Sequence, residues 1–97
     1  MVDGEFAMDP EQIAAMIRTG LQGADVVVDD PRGDRHHFEA RVVWDQFEGM
    51  NRVKRHRNVY KTLGAAMGSD QIHALAMVCL TPTEFTERQN NKGVQVL

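Results

Sequence analysis

Asp30-Pro31-Arg32-Gly33-Asp34-Arg35-His36-His37 runs directly into Phe38-Glu39-Ala40-Arg41-Val42-Val43-Trp44-Asp45. The first half is turn chemistry: proline fixes φ, glycine accepts φ > 0, and aspartates bond their own backbone. The second half alternates, with Phe38, Ala40, Val42 and Trp44 on one face and Glu39, Arg41, Val43 and Asp45 on the other. A period of two is a strand with one face on a core. Upstream, Val26-Val27-Val28 is β-branched, so Ala24–Asp29 reads as a partner strand. The two form a hairpin with a long, polar, histidine-bearing loop.

Working outward, Asp9 is a good N-cap, with Pro10 at the first helical position and Gln12 at the third. Ile13, Met16, Ile17 and Leu21 follow at helical spacing, and Gly20 and Gly23 end the helix. Beyond Trp44, Phe47-Glu48-Gly49 is a break or a short helical turn. A long helix starts near Met50 and places Val53, Arg57, Tyr60, Leu63 and Met67 on one side, with Gly68-Ser69-Asp70 closing it. Ile72–Leu80 is almost wholly apolar, which predicts a strand buried on both faces. Thr81-Pro82-Thr83-Glu84 then starts a short last helix docked by Phe85, and the residues from Arg88 onward are polar and loose. The order α–β–β–α–β–α predicts a small α/β sandwich, three strands covered by helices. Residues 1–8 read as a flexible leader, 9–88 as one domain and 89–97 as a flexible tail.

Composition narrows the function. The chain has 97 residues, 42% apolar and 26% charged, so it can build one modest core. Its net charge of −3 is far from that of a generic polyanion binder. The single cysteine rules out an internal disulfide or an all-cysteine zinc site. No apolar run reaches the ~18 residues of a membrane span. The acidic N-terminus lacks the apolar segment of a secretory leader, so a cytoplasmic protein that does not engage membranes is expected.

Three groups of residues could carry chemistry. Arg52, Lys54, Arg55 and Arg57 are four of the eleven lysines and arginines and, with His56, offer a phosphate- or DNA-contacting helix. The plainer alternative is a solvated helix face. His36, His37, His56 and His73 supply imidazoles that could ligate iron, zinc or copper from separate loops, although no self-contained metal-site spacing occurs. His73 could equally be a structural histidine bonded to a backbone carbonyl. Cys79 alternates with His73, Leu75 and Met77 and reads as an inert core thiol. The six methionines read as core filler, and Asp29, Asp30 and Asp34 as turn formers. No nucleophile elbow or phosphate-binding glycine loop is present, so a stand-alone enzyme is not expected.

Four segments in register resemble the BolA-like family: Gly33-Asp34-Arg35-His36-His37-Phe38, Phe47-Glu48-Gly49-Met50, Arg55-His56-Arg57-Asn58-Val59-Tyr60, and Ile72-His73-Ala74-Leu75 followed by Thr81-Pro82-Thr83-Glu84-Phe85. The resemblance spans about Asp9 to Glu87. It implies an α+β fold related to the type II KH fold, α–β–β–α–α–β–α, with a three-stranded mixed sheet and an extra helical turn before the long helix. It implies a non-enzymatic module that partners a monothiol glutaredoxin and shares a [2Fe–2S] cluster with it and glutathione, in iron–sulfur trafficking or iron regulation. The protein alone would be a monomer. His73 matches the family's expected cluster ligand, and His36 and His37 are the candidates for the second, loop ligand. The resemblance also implies an alternative, a transcriptional regulator that binds DNA through the helical-turn region, for which the basic Arg52–Arg57 helix is the candidate surface in this chain.

Overall fold

The computed structural model describes residues 8–64 and 74–96. The elements are α1 (Pro10–Gly20), β1 (Asp25–Asp29), β2 (His37–Val43), a 3-10 turn (Asp45–Phe47), α2 (Arg52–Leu63), β3 (Ala74–Leu80) and α3 (Pro82–Val96). The leader Met1–Ala7, Met67, the expected helix stop at Gly68–Asp70, Ile72, His73 and Leu97 lie outside the described residues.

The order agrees with expectation, extra helical turn included. β2 is the central strand, antiparallel to β1 and parallel to β3, so the three-stranded sheet is mixed. The alternation at Phe38, Ala40 and Val42 points these side chains into the core, opposite Val26 and Val28 of β1. α1 and α2 close that face with Ile13, Ala14, Ile17, Val59 and Leu63. Trp44 is partly buried; its indole N–H donates to the Gln22 carbonyl at 2.9 Å, and its ring meets Phe47 edge-to-face at 5.2 Å. The methionines within the described residues that touch the core, Met8, Met16, Met50 and Met77, pack around its margin.

The helix starts form as their sequences dictate. Gln12 Oε1 accepts the Asp9 N–H at 2.8 Å, which satisfies a donor left open at the start of α1. Asn51 caps α2 by accepting the Lys54 N–H at 2.9 Å. At α3 the Thr81 hydroxyl accepts the Glu84 N–H at 3.2 Å, and Glu84 Oε1 accepts the Thr81 N–H at 2.9 Å.

Three expectations are corrected. The apolar face of α2 is not the Val53–Tyr60 side: Val53 is 57% and Tyr60 39% exposed, whereas Val59 and Leu63 are buried. The inward row is Arg55, Val59, Leu63, one residue every four, and its first member is charged. β3 is not buried on both faces, because it is an edge strand: of Leu75–Leu80, Leu75, Cys79 and Leu80 are buried, while Ala76 is exposed and Val78 is 38% exposed. The face bearing Val78 is only partly covered: from α3, Phe85 lies under the Arg41 guanidinium at 4.8 Å. Finally, α3 is not short; it continues through the polar stretch to Val96.

α1 and α2 approach closely at Gly20. A β-carbon there would collide with the Thr62 side chain. Gly20→Ala is expected to force the two helices apart and destabilise the fold by about 1–3 kcal/mol, read as a lower urea midpoint at unchanged m-value.

Candidate functional site

The loop from Asp30 to His37 is built around two aspartates. The Asp30 carbonyl accepts the Gly33 N–H at 3.1 Å, and its Oδ2 accepts the Arg35 N–H at 3.0 Å. The chain passes through φ +69° at Gly33 and +61° at Arg35, a local reversal that brings Asp34 back under the next two residues. Asp34 Oδ1 accepts the N–H groups of His36 at 3.0 Å and His37 at 3.1 Å. Its Oδ2 lies 2.8 Å from His37 Nδ1. These contacts, the His36 backbone N–H first and the His37 ring second, hold the Asp34 carboxyl far below the usual carboxylate range. Asp34 is therefore a carboxylate that orients an imidazole as well as a turn former. The sequence signal was available: an aspartate three residues before a histidine at a strand start.

His37 opens β2, and its register partner on β3 is Ala74. His73, the residue before Ala74, is outside the described residues. His36 is half-buried beside His37. Among the described residues, no three His, Cys, Asp or Glu side chains gather as a metal site.

The basic helix divides in two. Arg52, Lys54 and Arg57 are exposed and His56 is half-buried. Arg55 is not part of an exposed surface: its side chain is only 13% exposed and all three of its guanidinium nitrogens donate hydrogen bonds. Nε donates to the Met50 carbonyl at 2.9 Å, and one terminal nitrogen donates to the Cys79 carbonyl at 3.0 Å and to Glu84 Oε1 at 2.6 Å. The other terminal nitrogen donates to Glu84 Oε2 at 3.3 Å, and the group stands 5.7 Å from the Phe47 ring centre. Arg55 thus ties α2, β3, α3 and the 3-10 turn together. The row Arg55–Val59–Leu63 was the clue to this inward position, outweighed in the sequence by the apolar character of Val53 and Tyr60.

Cys79 is buried on β3, and that burial pushes its thiol up to about 11, with Arg55 nearby opposing the shift. A thiol in that state is neither a ready nucleophile nor a ready metal ligand at neutral pH.

The family described as BolA-like protein matches residues 21–84. The chain belongs to the BolA-like family. This BolA-like protein is 30% identical over 86 residues to the acid stress protein IbaG of Escherichia coli, covering 89% of this chain and 99% of IbaG. It is 39% identical over 83 residues to human BolA-like protein 1, covering 86% of this chain and 56% of the human protein. A BolA-like protein of Dictyostelium discoideum is 32% identical over 62 residues, 64% of this chain and 54% of that protein. The chain thus spans nearly all of the bacterial relative but about half of the other two. In structure it is similar to a BolA homologue from Coxiella burnetii, with TM-score 0.71 and 42% identity over 81% of this chain and 97% of that one. BolA1 of Arabidopsis thaliana gives 0.68 and 34% over 77% and 93%. No helix among the described residues is long and apolar enough to cross a membrane.

Proposed function

We propose that this BolA-like protein is a non-enzymatic module that joins a monothiol glutaredoxin and supplies two imidazoles to a [2Fe–2S] cluster shared with that partner and its glutathione. The observation that carries the reading is the Asp34–His37 pair. Metal-bound histidines commonly engage a carboxylate through one ring nitrogen, which fixes the tautomer and directs the other nitrogen to the metal. Here Nδ1 faces Asp34, so Nε2 is the nitrogen suited to ligation. His73 enters as the second ligand through the family resemblance; in sequence it directly precedes Ala74, the register partner of His37.

Each residue then has a role. Asp34 holds the His37 ring in one tautomer and orientation. His37 and His73 offer the imidazole nitrogens. The Arg55–Glu84 tie fixes α2 and α3 against β3, the strand that His73 leads into. When bound, a [2Fe–2S] cluster supplies electron-transfer or iron-delivery chemistry, and histidine ligation raises its potential relative to an all-thiolate cluster.

The test is a visible absorption and circular dichroism titration. A monothiol glutaredoxin carrying its cluster is mixed with wild-type protein or with His73→Ala. The wild type is expected to generate a new, stable spectrum and His73→Ala to leave the glutaredoxin spectrum unchanged. If wild type also leaves it unchanged, cluster sharing is wrong. The exposed Arg52, Lys54 and Arg57 would then make DNA binding the reading to pursue, recognised by a steep loss of affinity with added salt.

A further inference from the structure

The two edges of the sheet are guarded differently. β1 carries exposed Asp25 and Asp29 at its ends, charges that discourage pairing with another chain. β3 is seven residues long, Ala-Leu-Ala-Met-Val-Cys-Leu, without a charge or a proline. Among the described residues no strand pairs on its far side. Natural proteins blunt such edges unless the edge is used.

The direction of the free groups follows from two hydrogen bonds. The Leu80 carbonyl points toward β2, where it accepts the Trp44 N–H at 2.9 Å. The Cys79 carbonyl points the opposite way, where Arg55 donates to it at 3.0 Å. Strand backbones alternate, so Leu75 and Met77 turn their N–H and C=O groups outward in step with Cys79. Arg55 thereby stops the ladder at the Cys79 carbonyl and leaves the positions before it for pairing.

The edge opens into a cleft of about 670 Å³ between α2 and α3, with Met77, Val78 and Cys79 on its wall. α2 contributes Arg52 and His56 and α3 contributes Glu87 and Arg88, while Arg55 and Glu84 neutralise each other within it. The unpaired full charges are therefore two arginines against one glutamate.

We propose that this cleft is a peptide-docking site, in which an extended, acidic segment of a protein partner adds as a fourth strand along the free edge of β3. Main-chain hydrogen bonds to Leu75 and Met77 would supply the pairing, and Arg52 and Arg88 would select acidic side chains. A second copy of this chain is the poorer occupant, because edge-to-edge pairing brings the same arginine-bearing walls to both sides. The inference is independent of the cluster-sharing reading, since it involves neither metal nor histidine ligands.

The experiment uses the metal-free full chain labelled with nitrogen-15. The probes are two synthetic octapeptides, one alternating valine with glutamate and one alternating valine with lysine. The acidic peptide is expected to shift the amide signals of Leu75, Met77 and Cys79 saturably, with much smaller shifts at Ala76 and Val78. The lysine peptide, and an acidic peptide N-methylated at alternate residues, are expected to bind at least tenfold more weakly. The double variant Arg52→Glu, Arg88→Glu should lose the acidic peptide by a similar factor while keeping its melting temperature. No alternating response, or equal binding of both charges, overturns the proposal. So does concentration-dependent dimerisation through β3 that the acidic peptide cannot compete away.

Discussion

Arg55→Ala is expected to lower the stability of this domain by about 3 kcal/mol. The side chain bonds two backbone carbonyls and both oxygens of Glu84 from a position 13% exposed. Removing it leaves the Met50 and Cys79 carbonyls without that donor and strips a cation from beside Phe47. Glu84 is 41% exposed, so water recovers part of its solvation and the loss stays at the low end for a broken ion pair. For a domain of this size the change corresponds to a melting temperature lower by roughly 12–24 °C. Arg55→Lys keeps the charge but not the planar fork, and is expected to recover less than half of the loss. Glu84→Gln should cost about 1 kcal/mol, since glutamine can still accept the Thr81 N–H. Urea denaturation of the single and double variants gives the coupling directly. A stability of Arg55→Ala within about 0.5 kcal/mol of wild type would show that these bonds exchange evenly with water.

The same pair sets an acid dependence. Arg55 first, and the Thr81 backbone N–H second, hold the Glu84 carboxyl below its ordinary value of 4.5. A depressed folded value means that the contribution is complete above the unfolded value and fades as pH falls through the folded one. The wild type is therefore expected to lose this increment below about pH 4.5, and Arg55→Ala to show a flatter acid limb.

Arg55 also shows where the sequence is legible and where it is not. β2 was readable because alternation has one structural meaning when a turn precedes it: Phe38, Ala40 and Val42 had to share a face. The α1 and α3 starts were readable because Asp9-Pro10 with Gln12, and Thr81-Pro82 with Glu84, satisfy open helix donors through local contacts alone. The face of α2 was not readable. Its burial is decided by Gly20 against Thr62 and by an arginine that finds its partners 24 and 29 residues away. No periodicity of apolar residues records such contacts. β3 misled for a related reason: an all-apolar strand can be buried on both faces or can be an unguarded edge, and only the number of strands separates the two. In the loop, histidines were visible as imidazoles, but the preference for His37 came from the reversal at Gly33 and Arg35 that places Asp34 beneath it.

That preference yields the second large expected effect. His37→Ala should abolish the new spectrum in the glutaredoxin titration, as His73→Ala does, whereas His36→Ala should retain it. The physical distinction is the Asp34 contact: the carboxylate bonds the ring of His37 but only the backbone N–H of His36. Asp34→Ala removes no ligand, yet it takes the carboxylate away from the His37 ring and withdraws the acceptor from two backbone N–H groups. Loss of such an orienting partner typically weakens metal binding 10–100-fold, so Asp34→Ala should need correspondingly more protein to reach half-conversion. Asp34→Asn is the finer probe. Its amide oxygen can still accept the two backbone N–H bonds and keep the loop, while the side chain loses the charge that polarises the ring. A result between wild type and Asp34→Ala would separate loop geometry from ring polarisation. Wild type and the Asp34 variants should release the shared cluster as pH falls, because a protonated imidazole cannot ligate. If His36→Ala abolished the spectrum and His37→Ala did not, the loop ligand would be His36, and the Asp34–His37 contact would be a loop clasp without a role in binding iron.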